Sequence, residues 1–456
     1  MKRACVLMVL ALGAFLALPA SAFAQEPTLD DSISSINTMW VLVAAILVMF
    51  MQAGFAFLEI GFSRMKNAGA GVAKILVNYS IASLAYWAVG FAIAFGGTSW
   101  FAGDAGFFLD VSSTPAEAAT QYPLLDIAGI APAALLFFQF VFCAVSLAIV
   151  WGTTLERMKF VAYLVFATVF AAGIYPIVSH QLFGGGWLQA TIGAQDFAGS
   201  TVVHLSGATA GLAALLLLGP RIGKYGRGGE PRLIPGHSMP IVGLGILILW
   251  LGWFGFNPGS TLGALGNRFA EVALVTNLAA AAGVLGALGT IFALKKTVDI
   301  PMVGNGAIAG LVAITAPSGY VEYWAAPIIG LIGGVIVVVG VLAIDKVLDD
   351  PVGALSAHGL AGVWGTLACG LFTAPRFAEL NGVGEGGLWY NGSFDQLWAQ
   401  AEAVGIAFAF VFLASYAVFA AMKYTVGIRV TEKQERDGLD ISEHGMYGYP
   451  EHMADF

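Results

Sequence analysis

Charge is the first thing this chain lacks. Only 11% of its 456 residues are Asp, Glu, Lys or Arg, against 58% hydrophobic, where a soluble domain carries roughly 25% charged residues. That shortage excludes an ordinary soluble enzyme and points to a polytopic membrane protein, with the lipid bilayer as its solvent. Cysteine is also scarce, with three in the whole chain. Cys5 lies in a leader segment, and Cys143 and Cys369 fall in apolar stretches that suit small buried hydrophobes better than a disulfide. No CxxC and no Cys/His spacing for zinc occurs, so neither a metal nor a cofactor is expected. No basic patch with interleaved aromatics occurs either, so nucleic acid is not an expected partner. The formal charge of −8 says little about partners, because the loop charges are unevenly placed. Glycine, in contrast, is abundant at 59 residues, as close helix contact in lipid requires.

The N-terminus reads as a secretory signal. Lys2 and Arg3 form a positive start, an apolar run follows, and Ala22-Phe23-Ala24 is a small-x-small cleavage site before Gln25. Residues 1–24 are therefore expected to be removed, with EPTLDD as an acidic linker behind them. Eleven apolar spans follow, near 38–62, 70–97, 130–152, 159–180, 199–219, 238–256, 269–294, 304–319, 324–345, 354–374 and 398–424. About 20 helical residues cross the hydrocarbon core. Arg64 and Lys66 follow the first span, Arg157 and Lys159 the third, Arg221, Lys224, Arg227 and Arg232 the fifth, and Lys295 and Lys296 the seventh. The positive-inside rule then places the mature N-terminus outside and the C-terminus in the cytoplasm of a bacterial inner membrane.

Two segments share an aspartate, seven residues and a histidine: Asp196 to His204 in DFAGSTVVH, and Asp350 to His358 in DPVGALSAH. They open the fifth and tenth spans, which run in opposite directions. The fold expected is all-α, a 5+5 inverted repeat plus a final helix. Repeat one covers about 38–219, repeat two about 238–374 and the last helix about 398–424, all within a membrane domain of 25–424. Each aspartate suits a helix N-cap and the positive end of the helix dipole. A residue eight positions along a helix lies about 12 Å deeper. The two histidines therefore reach the midplane from opposite sides and can meet. An imidazole there is read as neutral at rest, with one donor and one acceptor nitrogen, able to relay a proton. Ionisable residues at this depth mark a pathway.

Two further groups stand out. In span six, Trp253, Phe254 and Phe256 precede Asn257-Pro258-Gly259-Ser260, which is expected to break the helix at the outer face. In span three, Phe138 and Phe142 share a helix face. Aromatic faces attract cations, and a serine hydroxyl accepts from an N–H donor. Glu59 lies one turn from Arg64 and Lys66 and is read as a snorkelling or paired structural carboxylate.

Taken together, DFAGSTVVH, WFGFNPGS, FGGGWL, the second Asp-Pro…His segment and the tail GIRVTEKQERDGLDISEHG resemble the ammonium transporter family (Amt/Mep/Rh), of bacterial Amt type, over essentially the whole mature chain. The resemblance implies an eleven-helix bundle with a pseudo-two-fold in the membrane plane, assembled as a homotrimer with one pore per subunit. It implies an outer site where aromatic rings and a hydroxyl recruit ammonium, matching Phe138, Phe142 and Ser260. It also implies a gate at Phe142 and Phe256, pore histidines at His204 and His358, and support of the outer site by Asp196. Phe183 stands where many bacterial members have tryptophan, a stronger cation–π partner, so looser recruitment is expected. Pro258 stiffens the break before Ser260. The tail, 425–456, is implied to pack in the cytoplasm under the subunits and to respond to a PII-type regulatory protein.

The function expected is transport of ammonium, and of methylammonium as an analogue. Ammonium would lose its proton beyond the outer site, pass as ammonia and be reprotonated inside, without enzymatic turnover. The alternatives are an ammonium sensor, a transporter of another small cation, and a membrane enzyme using His204 and His358 as metal or haem ligands. No third ligand has suitable spacing for the last.

Overall fold

The computed structural model describes residues 28–97, 99–109 and 129–450. The expected signal peptide, 1–24, lies outside the described residues, as does the end of the tail. Among the described residues, ten helices are long and apolar enough to cross a bilayer, and an eleventh is shorter. In chain order they are α1 (Leu29–Phe62), α2 (Met65–Phe95), α3 (Pro132–Thr153), α4 (Phe160–Ala190), α5 (Ser200–Leu218), α6 (Met239–Gly259), α7 (Leu265–Lys295), α8 (Ile300–Thr315), α9 (Ala325–Ile344), α10 (Leu355–Phe372) and α11 (Asp395–Tyr424). Among the described residues there is no strand, only two isolated bridges. A helix satisfies its own backbone groups, which is what hydrocarbon demands.

Elements equivalent in the two repeats meet. α1 packs along α6, and the first turns of α5 and α10 touch, as a two-fold axis between the repeats requires. Glycine makes the first contact possible: a Cβ on Gly245 would lie 2.5 Å from the Leu58 nitrogen, and one on Gly255 would lie 2.4 Å from the Ala44 carbonyl oxygen.

Of the boundaries that differ from the sequence reading, three have a clear local cause. α1 begins at Leu29, so the expected acidic linker is partly the first helical turn. Thr28 and Asp31 form a reciprocal capping box there. α8 runs Ile300–Thr315 rather than 304–319, because Asp299 caps it by accepting from the Met302 N–H at 3.1 Å and Pro301 fits its first turn. α6 does not break at Asn257 but continues through Pro258 to Gly259. So near a helix end the missing proline N–H is tolerated, and Ser260 Oγ donates to the Phe256 carbonyl at 2.8 Å.

Candidate functional site

A vestibule of about 790 Å³ opens at the end of the bundle away from Arg64, Arg157 and Arg221. Phe138, Phe142, Phe183, Asp196 and Ser260 all line it. Phe138 and Phe142 project from the same side of α3, with ring centroids 4.6 Å apart. Ser260 donates its proton to a backbone carbonyl, which orients its oxygen lone pairs to accept from a guest. Phe183 ends the main helical part of α4, before the chain breaks at 184–186.

Asp196 builds the start of α5. Its carboxylate accepts the N–H groups of Gly199 (2.8 Å), Ser200 (2.9 Å), Thr201 (2.9 Å) and Val202 (3.0 Å). These are the donors a helix start leaves unpaired. Gly199 adopts φ +116°, and a Cβ there would also meet Val203 Cγ2 at 2.6 Å, so only glycine fits the turn. The chain then winds as a π-turn over Ser200–Leu205, and the second copy does the same over Leu355–Leu360. Such turns carry an extra residue and re-aim side chains, commonly at functional sites. Each π-turn holds its histidine.

Phe142 closes the vestibule floor by stacking on Phe256, with centroids 4.0 Å apart and planes 23° from parallel. Beyond lies His204, flanked by Phe256 at 5.4 Å and Trp253 at 5.3 Å. Trp253 is fixed in turn by donating its indole N–H to Thr315 Oγ1 at 3.0 Å. His204 and His358 approach through their Nδ1 atoms at 3.2 Å, with rings 21° from parallel. Past His358 come Phe55, at 6.3 Å between centroids, and a small cavity lined by Phe55, Glu59 and His358. No signal in the residues singles out Phe55, since an aromatic on an apolar helix has many uses.

The contact between the imidazoles has one chemical reading. One Nδ1 carries a proton and the other accepts it. The first ring then has a bare Nε2 and the second an Nε2–H. One outward nitrogen of the pair accepts from an N–H guest and the other donates; the roles exchange only when the shared proton moves between the Nδ1 atoms while the bare Nε2 gains a proton and the other Nε2 loses one. His204 Nε2 has no partner among the described residues, so it is free for such a guest.

Glu59 corrects the sequence reading. Its carboxyl is buried, 1% exposed, and makes no ion pair with Arg64 or Lys66. Arg64 pairs instead with Glu156 at 2.7 Å. Glu156 also takes Arg221 at 3.3 Å, and Arg221 continues to Asp349 at 2.8 Å. Burial pushes the Asp349 carboxyl up, but the hydrogen bond and charge of Arg221 and the charge of Arg157 outweigh it and hold the group well below the usual carboxylate range. Arg64, Arg157 and Arg221 are therefore tied into one network at this end of the bundle.

The tail packs against the same end. Asp440 accepts the N–H groups of Gly69 (3.0 Å) and Ala70 (2.8 Å) at the start of α2. Glu443 accepts that of Phe160 at 2.6 Å, at the start of α4, and Glu435 that of Ile222 at 2.6 Å. Acidic side chains at helix starts are stabilising. His180 and His237 both bond backbone carbonyls, at 2.9 Å, and stand apart from the pair.

These helices, with a ring-lined path and an imidazole pair at its centre, define a polytopic membrane protein built as an inverted repeat. The chain belongs to the Ammonium Transporter Family, whose sequence profile matches residues 39–449. It is 42% identical to ammonium transporter Amt2 of Archaeoglobus fulgidus, over 98% of this chain and 95% of that one. Among solved structures it is similar to one described as a sensor Amt protein, with a TM-score of 0.83, 36% identity and coverage of 91% of this chain and all of that one. It is also similar to Mep2 of Candida albicans, with a TM-score of 0.80, 29% identity and coverage of 89% of each chain.

Proposed function

We propose that this chain transports ammonium across a bacterial inner membrane, with the mature N-terminus outside, the C-terminus in the cytoplasm and the vestibule facing outward. The Nδ1–Nδ1 contact of 3.2 Å between His204 and His358 carries the reading, because it places a proton-relaying pair across an otherwise apolar path. A bare cation in such a path is costly. The vestibule offsets part of that cost: the rings of Phe138, Phe142 and Phe183 attract the cation and Ser260 accepts one N–H. Asp196 holds the start of α5 in place and does not itself grip the ion. The proton leaves above the Phe142–Phe256 gate, ammonia passes as the rings part, and the histidine pair accepts its N–H groups and moves the proton separately.

The family's trimeric assembly, cleavage of residues 1–24 and response of the 425–456 tail to a PII-type protein belong to the same proposal. The carboxylates of Asp440 and Glu443 on the starts of α2 and α4 give such a partner something to release. A second reading, an ammonium sensor, is favoured by the similarity to the sensor Amt structure. Proteoliposomes separate the two. Transport predicts ammonium and methylammonium uptake above protein-free vesicles, measured with and without an imposed membrane potential. A sensor binds ammonium and gives no flux.

A further inference from the structure

On the arginine-rich side of His358 the path widens into a cavity of about 20 Å³. That is room for one guest the size of water, ammonia or ammonium and little more. Its lining is apolar except at His358, Asn305 and Glu59. Asn305 is occupied, donating through Nδ2 to the Val352 carbonyl at 3.0 Å. Glu59 is not: its Oε2 is buried and has no hydrogen-bond partner among the described residues. Gly152, which also lines the cavity, leaves room for the carboxyl, since a Cβ there would lie 3.1 Å from Oε1. The nearest cation, Lys74, is committed elsewhere. Its ammonium donates to the Met158 carbonyl at 3.1 Å and lies 3.5 Å from the centre of the Trp151 ring. Tyr163 donates to Asn78 Oδ1 at 2.5 Å.

A buried acceptor without a donor is costly, and a carboxyl in an apolar span points to a function. We propose that Glu59 forms an inner ammonia-binding site: Oε2 accepts an N–H of the ammonia that His358 releases and holds it until it leaves for the cytoplasm. The site completes an ordered path, with hydroxyl and rings outside, imidazoles at the centre and a carboxyl inside. Its ligand is a small N–H donor, and the cavity size disfavours anything bulkier. The inference rests on the transport reading above.

The test compares the two faces of the membrane. Ammonium flux is measured in right-side-out and inverted vesicles carrying the full chain. In Glu59→Leu, the half-saturating ammonium at the inner face is expected to rise at least about tenfold, the worth of one buried hydrogen bond. At the outer face it should stay within about twofold of wild type. A purely structural carboxyl would shift both faces together. Gly152→Ala crowds Oε1 without removing the carboxyl and should show the same one-sided rise in smaller degree, which keeps the proposal testable if Glu59→Leu does not fold. Wild-type flux with an unchanged or symmetric response in the variants would overturn the inner site alone. Absence of flux in the wild type would overturn the transport reading and the inner site with it.

Discussion

The two copies of the Asp-x7-His segment use one capping device in unlike surroundings. In the first, Asp196 satisfies four backbone N–H groups and opens on the broad vestibule. In the second, Asp350 accepts from Gly353 at 3.1 Å and Leu355 at 2.7 Å, and its neighbour Asp349 anchors the arginine network. His204 is wedged between Trp253 and Phe256, whereas His358 faces Phe55 and the small cavity. The repeat thus places like caps and like rings at the centre, and the residues around them differ at the two ends of the bundle.

Unequal caps should have unequal worth. Asp196→Ala strands four buried donors and is expected to cost at least about 3 kcal/mol, against about 1–2 kcal/mol for Asp350→Ala. Thermal unfolding in detergent measures both, and equal losses would break the comparison. Acid should act mainly on the second copy. Asp349 has a depressed folded-state value, so its stabilisation is complete above the ordinary aspartate range, near 3.9, and is lost as pH falls below it. Unfolding midpoints should therefore drop below about pH 4 in the wild type and less steeply in Asp349→Asn.

Smaller effects belong to the vestibule. Ser260→Ala removes one acceptor and should raise the half-saturating ammonium at the outer face about three- to tenfold, leaving the inner face unchanged. That is the mirror image of the response expected from Glu59→Leu, and a shift at the inner face instead would contradict the assignment of ends. Smallest of all, Phe183→Trp supplies a stronger cation–π face and should lower the outer half-saturation about two- to fivefold.

Much of this was legible in the residues. Charge scarcity and span lengths announced the bundle, and the matched Asp-x7-His spacing announced both caps and the meeting of the rings, because capping and helical rise act locally. Phe138, Phe142 and Ser260 line one cavity, a grouping that the family resemblance implied and their spacing alone did not. Boundaries were less legible. The starts of α1 and α8 depend on caps at Thr28 and Asp299 that lie outside the apolar runs, and α6 tolerates Pro258 only because its end is near. Glu59 was misread for a similar reason. Proximity in sequence to Arg64 suggested an ion pair, but the chain turns after Phe62 and Arg64 finds Glu156 across the bundle. Long-range pairing of that kind, like the approach of Phe55 to His358, leaves no periodic trace.

The account stands on His204 and His358 acting together. Its most direct test is ammonium uptake into proteoliposomes by the wild type and by the double variant His204→Ala/His358→Ala, at equal incorporation and with folding checked by thermal unfolding. The account predicts a loss of at least about tenfold, the size of one buried hydrogen bond to the guest. Undiminished uptake by the folded double variant would contradict it.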